Sequence, residues 1–502
     1  MAPSYNIDKA SIMTFISLCT SSKALRPLRL RLVFLLSGVL SLIFLNCYDH
    51  SRVQPPQSRI LLYEHPSLVC LASDLQDDIL VVLRTGATEL LQKLPIHFKT
   101  TLKCFRDYVI YSDMNEDLEG HRIHDVLSGV NKTNKENSPE FELYNHLHAH
   151  GRENLDFQTI FGSGPSGALG NPGWKLDKWK FLPAVEQALE HRPHAKWYVF
   201  IESDTYMIWH NMLEWLSKFD ADKPYYLGKH MYISDVLFGH GGSGFVLSNP
   251  AMHLVVNHWR VNREDLDRYT EQEWAGDMIL GKVIKDAGID MFWAWPHLQG
   301  DSLYTIDWNI SKLDKQAWCY APTTFHHMSQ DEFRLMWHLE QAWHRHNAGK
   351  TLRFRDIFKT LVRPRLQAER GEWDNMSAGV EYSQELLTGL PDQGKDALSP
   401  VEREAAESFE ACRAVCESKP ACIQFSYLPG KCSTATELRL GRAADLQCLE
   451  YSSAAGACIS SAAPIEDRQN LIRSGWIMDR IPDYVHDMDL LCESAAGNDW
   501  IM

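Results

Sequence analysis

Glu202, Ser203 and Asp204 close an apolar, aromatic run, Trp197 to Ile201, with the composition of a fully buried strand. A carboxylate at the edge of a core is costly unless something compensates it. A capping backbone, a base or a cation would each do so. Three further stretches supply groups that can act with these acids. "GHGGSGFVLS" (Gly239 to Ser248) is a glycine-rich turn leading into an apolar run, where backbone free of side chains can approach a ligand. "GDMILG" puts Asp277 at the start of a helical pattern, as a proton acceptor or as a plain helix cap. "TTFHHMS" supplies His326 and His327. Carboxylate oxygens with an imidazole can hold a divalent cation; the bland alternatives are core histidines and an ordinary hairpin turn.

The elements that must carry these groups are legible around them. "DDILVVL" (Asp77 to Leu83) and "DYVIYSD" (Asp107 to Asp113) read as buried strands, with "RTGATELLQKL" between them turning into a helix. Leu182, Val185, Ala188 and Leu189 sit at helical spacing before the Trp197 strand, and Met212, Trp215, Leu216 and Phe219 do so after it. Alternating strands and helices predict an α/β fold with a mostly parallel sheet flanked by helices. Ligands of open α/β sheets sit beyond the carboxyl ends of the strands. Arg84 with Thr85, Ser112 with Asp113, and Glu202 to Asp204 all stand at such ends, which points to a nucleotide crevice. "GVNKTNKENSPE" and "GSGPSGALGNPG" read as loops, and the tryptophans of "MFWAWP" (Met291 to Pro296) as core, with a sugar-stacking platform as the alternative.

At 502 residues with 45% hydrophobic content, the chain exceeds one ordinary domain and has ample material for a core. A net charge of −15 with scattered acids gives no sign of nucleic-acid binding. From Leu32 an unbroken apolar run extends to Tyr48, with Lys23, Arg26, Arg29 and Arg31 before it and Asp49 after it. That charge asymmetry predicts one transmembrane signal anchor over 30–48, a cytosolic tail at 1–29 and everything later across the membrane; a cleaved signal peptide is the alternative. Residues 49–73 read as a stem and 74–350 as the α/β domain. Residues 351–404, rich in Gly, Glu, Asp, Ser and Pro, read as a linker, and 405–502 as a small cysteine-rich module. No CxxC pair suggests zinc, so cysteine density points to disulfides in an oxidising lumen. Sequons at Asn131, Asn309 and Asn375 suit the same compartment.

In order, "ESDTY", "GGSGFVLS", "GDMILG" and "FHH" resemble the motifs of glycosyltransferase family 31, the Fringe and core-1 β3-galactosyltransferase type, over roughly residues 75 to 345. The resemblance implies a GT-A nucleotide-sugar fold, a type II Golgi or early secretory membrane protein, a UDP-sugar donor and Mn2+. It implies Asp204 and His326 as metal ligands and Asp277 as catalytic base. It further implies Glu202, Arg84, Thr85, Asp113, Lys178, Gly241 and Gly242 as donor-site residues. The reaction it implies is inverting transfer of a hexose or N-acetylhexosamine, galactose first, to a glycan or glycoprotein; a catalytically inactive glycan-binding or scaffold protein is the alternative. Glu202 and Ser203 stand where that family has aspartates, and Gly276 where it has an acid. The pattern Cys412, Cys416, Cys422, Phe425 and Cys432 resembles a PAN/apple module, which implies Cys416–Cys422 and Cys412–Cys432 disulfides.

Overall fold

Ile79–Arg84 (β1) and Trp197–Glu202 (β5) are built of branched and aromatic residues that are buried along nearly their whole length, and they pair in parallel at the centre of the chain's largest sheet. The computed structural model describes residues 68–71, 73–152, 155, 171–347, 349–389, 397–444, 450–452, 457–460, 472–493 and 499–502. The apolar segment 30–48, most of the "GSGPSGALGNPG" loop and Cys448 lie outside these. Among the described residues, no helix is long and apolar enough to cross a membrane.

Around β1 and β5 stand Tyr108–Ser112 (β2), Glu116–Leu118 (β3) and His121–Asp125 (β4) on one side. Tyr206–Met207 (β6) leaves the sheet. Tyr226–Gly228 (β7) returns to it, the hairpin His230–Ile233 (β8) and Val236–Gly239 (β9) stands apart, and Phe245–Ser248 (β10) and Met291–Trp293 (β11) complete the other side. The order of the eight strands is β11-β7-β10-β5-β1-β2-β4-β3. The sheet is mixed rather than mostly parallel, because β10 runs antiparallel to both β5 and β7. The cause is local: the glycine turn before β10 reverses the chain at the edge where β5 ends, with Gly244 at φ +80°. The amphipathic helices Phe181–His191 (α2), Asn249–Val261 (α3) and Gly276–Asp286 (α4) pack against one another. Leu90–Lys99 (α1) packs against Gln330–His346 (α5), which opens with a capping box at Ser329 and Glu332. Within "GVNKTNKENSPE", read as loop, Lys132–Asn137 forms a short helix capped by Asn131.

The reading of 351–404 as a linker is corrected. Phe354, Ile357, Phe358, Leu361 and Val362 are buried in a second core with Trp295, Trp308, Trp318 and Phe325. Arg370–Gly371 and Val380–Ser383 are edge strands of a five-stranded sheet whose other members are Gln424–Leu428, Lys431–Ala435 and Arg473–Trp476. The second core also takes Trp476, Ile481 and Val485, so apolar packing runs on into the cysteine-bearing C-terminal part. Cys412 bonds Cys432 and Cys416 bonds Cys422 within that part, while Cys319–Cys492 joins it to the α/β body and Cys70–Cys104 closes the N-terminal edge. The end of the expected stem is held as well, since Gln341 bonds both the N–H and the carbonyl of Val69.

Asn375 is fully buried, and its amide donates to the carbonyls of Phe425 and Gly475. The expectation of a glycan there is therefore corrected: the fold encloses this nitrogen and uses both its bonds, which a glycan would displace. Asn131 and Asn309 are exposed.

Candidate active site

Asp204 follows β5, and the chain brings His326 to it through backbone pairing. β6 pairs antiparallel with Thr324–Phe325, setting Phe325 opposite Tyr206, and the Met328 N–H donates to the Asp204 carbonyl at 3.0 Å. His326 Nε2 then lies 3.2 Å from Asp204 Oδ1 and 3.5 Å from Glu202 Oε2, while His327 Nδ1 lies 3.9 Å from Asp204 Oδ2. One ligand atom each from Asp204, His326 and His327 falls within a 4.8 Å cluster. His327, for which the sequence alone also allows a place in the core, stands at the cluster. It is half-buried at a left-handed φ of +55°, a conformation that costs energy in a non-glycine residue and recurs where side chains must face a site. No signal in the chain's periodicity marks it.

The electrostatics follow from this crowding. Burial opposes charge on His326, but Asp204 and Glu202 outweigh it and raise its pKa to about 9. Burial likewise opposes ionisation of Glu202, yet His326 and Arg84 hold it down at about 2. Asp204 is held well below the usual carboxylate range, against burial, by Lys93 and His326. Lys93, on α1, sits 3.0 Å from Asp204 Oδ2 and 2.8 Å from Glu89 Oε2. The set fits a divalent cation: one carboxylate, two imidazoles, and a buried His326 Nδ1 with no hydrogen-bond partner among the described residues. Gly242 is part of the fit, because a Cβ there would run into the His326 ring.

Gly241, the next residue back, serves Asp277. Its N–H donates to Asp277 Oδ2 at 2.9 Å, while Asp277 Oδ1 accepts from the Met278 N–H at the start of α4. Burial pushes the Asp277 carboxyl up to about 6, against these bonds. A carboxylate poised near neutrality is suited to taking a proton. Two successive glycines thus stand against the Asp277 carboxylate and against the His326 imidazole.

Ser203 has no part in that cluster. It is buried, and its hydroxyl lies 3.2 Å from Thr85 Oγ1 and 3.4 Å from Glu89 Oε1. Its carbonyl meets His97 Nε2 at 2.9 Å, a contact that makes this nitrogen the donor and fixes the turn after β5. Arg84 pairs with Glu202 at 2.6 Å and lies over the Phe181 ring at 3.5 Å; Nη1 faces Asp177 Oδ2 at 3.8 Å, and neither Nε nor Nη1 makes a hydrogen bond among the described residues. Asp113 is wholly buried: Oδ1 accepts from the Ala87 N–H and the Ser112 hydroxyl, and Oδ2 faces Lys180 at 3.3 Å.

Lys178 requires a correction. Its ammonium pairs with Glu140 at 2.9 Å and donates to the carbonyls of Glu271 and Glu273, so it is not free to meet a diphosphate. Lys180, two residues on and also buried, is the lysine of "KLDKWKF" that reaches the strand ends, held by Asp113, Asp177 and the Thr85 carbonyl. Neither Lys180 nor Asp177 was singled out by sequence reasoning, although both lie in that quoted stretch.

Residues 75–295 match a family model described as Fringe-like. A 114-residue stretch is 34% identical to glycoprotein-N-acetylgalactosamine 3-beta-galactosyltransferase 1 of Xenopus laevis, covering 22% of this chain. The match spans 30% of the length of that curated relative. The Fringe-like region contains the strand ends, the glycine turn and Asp277, whereas His326 and His327 lie beyond it.

Proposed function

We propose that the protein is an inverting, metal-dependent β-glycosyltransferase that moves a hexose or N-acetylhexosamine from a UDP-sugar to a glycan or glycoprotein. Galactose is the favoured donor sugar, by likeness to the Xenopus relative. The observation that carries the reading is the Gly241-Gly242 turn, which sets Asp277 on one side and His326 with Asp204 on the other. In this reading Asp204, His326 and His327 would hold Mn2+, and the bound cation would supply Lewis-acid stabilisation of the leaving diphosphate's charge. Arg84, whose Nε and Nη1 make no hydrogen bond among the described residues, meets donor oxygens, and Glu202 and Asp177 orient it. Asp277 Oδ2 receives the proton of the acceptor hydroxyl as that oxygen attacks the anomeric carbon from the face opposite UDP. With one base and no enzyme nucleophile, displacement is single and the α-linked donor gives a β-linked product. Anchoring by residues 30–48 in a Golgi or early secretory membrane, with the body in the lumen, belongs to the same proposal. So does a PAN/apple-like role for the C-terminal part in presenting the acceptor.

A panel of UDP-sugars, with release of UDP measured with and without Mn2+, tests this directly. Stimulation by one donor with Mn2+, lost in Asp277→Asn while UDP still binds, is the expected outcome. One observation favours a catalytically silent glycan-binding protein instead: Lys93 already neutralises Asp204, and Ser203 adds no carboxylate. UDP and Mn2+ binding without any turnover across the panel would select that reading.

A further inference from the structure

The strand order divides the carboxyl edge of the sheet into two halves. On one side of β5 lie the ends of β1 and β2, with Arg84 and Asp113. On the other lie the start of β10 and the ends of β7 and β11. The second half carries an unusual set of groups that the proposed reaction does not use. Lys229 directly follows β7. It is half-buried, and no carboxylate among the described residues lies within 4 Å of its ammonium; Asp301 acts on it only from farther off. Burial disfavours its charge, and nearby Lys312 adds to that. An ammonium left so poorly compensated is costly unless a ligand supplies the counter-charge. Gly300 keeps the space: a Cβ there would collide with Lys229 Nζ and stand 3.2 Å from Ser243 Oγ and 3.4 Å from His240 Nδ1.

His240 adds a preset donor. Its Nδ1 accepts from the Ser243 N–H at 3.2 Å and lies 2.7 Å from the Ser243 hydroxyl. Because Nδ1 accepts from that N–H, the ring's proton sits on Nε2. His240 lies beside His326, with ring centroids 5.5 Å apart. At the end of β11, Trp293 is 38% exposed and stacks on His230 at 4.4 Å, offering the flat apolar face on which sugar rings settle. Lys312 and Lys315, on the hairpin formed by Ser311–Lys312 and Lys315–Gln316, add positive charge near His230. Asp314 in its turn is exposed.

We propose that this half of the cleft is the acceptor subsite and that it takes an anionic saccharide, its carboxylate or phosphate ester paired with Lys229 and its ring stacked on Trp293. The inference rests on the glycosyltransferase reading for the word acceptor, while the anion site itself stands on Lys229, the space that Gly300 and Ser243 leave beside it, and Trp293. The test is calorimetric titration of the purified chain with methyl glucuronide, mannose 6-phosphate, and neutral methyl glucoside and methyl mannoside, with and without UDP. A charge-assisted hydrogen bond predicts that one anion binds about 10- to 100-fold more tightly than its neutral counterpart. Whichever anion wins names the source of the charge. Lys229→Gln abolishes the preference with UDP affinity unchanged, Lys229→Arg keeps it, and Trp293→Ala weakens charged and neutral sugars alike. Equal binding of charged and neutral sugars, no binding of any, or a preference that survives Lys229→Gln would overturn the proposal. So would a matching loss of UDP affinity in Lys229→Gln, which would put the lysine in the donor half. Failure of the wild-type chain to bind UDP counts against the donor reading alone, since the anion preference is also read without UDP.

Discussion

Gly242→Ala is the smallest change that should disable the proposed cation site. The added Cβ would stand 2.5 Å from His326 Nδ1, and closer to the ring's Cε1 and Nε2, where ordinary contact begins at 3.4 Å. The ring or the turn must therefore give by more than about 0.9 Å, since Cε1 and Nε2 are closer still. His326 Nε2 now faces Asp204 Oδ1 at 3.2 Å, and a metal site tolerates ligand displacements of only about 0.2 Å. Loss of the imidazole from the cluster follows. Disturbing even the partners of metal ligands costs about 10- to 100-fold in affinity, so Mn2+-dependent UDP binding should fall by at least that range. Overpacking of the buried turn should cost about 1–3 kcal/mol in urea unfolding. Backbone strain adds nothing, because the left-handed residue of this turn is Gly244 and not Gly242. A double-mutant cycle separates this mechanism from general damage. With His326→Ala in place the ring is gone and the new methyl has room, so Gly242→Ala should then cost less than about 0.5 kcal/mol. Calorimetric titration with Mn2+ and UDP, paired with urea unfolding, measures all four corners. Wild-type cation binding in Gly242→Ala, or an equal penalty with and without the His326 ring, would refute the reasoning.

Four further outcomes are expected. Lys93→Met removes an ammonium 3.0 Å from Asp204 Oδ2 and should tighten Mn2+ binding about 2- to 5-fold, the scale of a partly exposed ion pair; unchanged or weaker binding in a Mn2+ titration counts against Asp204 as a ligand. Only ionised Asp277 can accept a proton, and burial raises its pKa to about 6, so kcat/KM should fall as pH drops below about 6; Asp277→Asn should cost about 10²–10⁴-fold in rate at unchanged UDP affinity, and a flat profile would place the base elsewhere. Serine at both Cys319 and Cys492 opens a bridge spanning 173 residues and should cost about 2–5 kcal/mol in chemical denaturation, where no shift in midpoint would mean packing alone holds the C-terminal helix Ile481–Glu493. Peptide mapping of secreted chain should find glycan at Asn131 or Asn309 and none at Asn375, whose amide is buried and bonded; occupancy at Asn375 would contradict the packing described for it.

The parts of the site that sequence could disclose were those whose cause is local. The apolar run of β5 must be buried, so the acids after it had to stand at a strand end, and that is where Glu202 and Asp204 are. The glycines before β10 were visible as a turn, but not the reason each is small: Gly241 against Asp277, Gly242 against an imidazole eighty-odd residues away. Lys178 and Lys180 look alike in "KLDKWKF", and what separates them is supplied from elsewhere. Glu140 pairs with one buried lysine, and Asp113 at the end of β2 pairs with the other beside the strand ends. The short strands between 370 and 383 are too brief to show a period, and they exist because a later hairpin lends them an edge to pair with. For the same reason His327 was passed over. Its side chain is turned toward Asp204 by a left-handed backbone, and that backbone is held between the β6 pairing before it and the Ser329 cap after it. A cation cluster assembled by two chain segments that pair as strands can be read only when both the pairing and the twist after it are known. That is why the triad's third member is the one on which the metal experiment with Gly242→Ala bears least, and on which His327→Ala, in the same Mn2+ titration, would bear most.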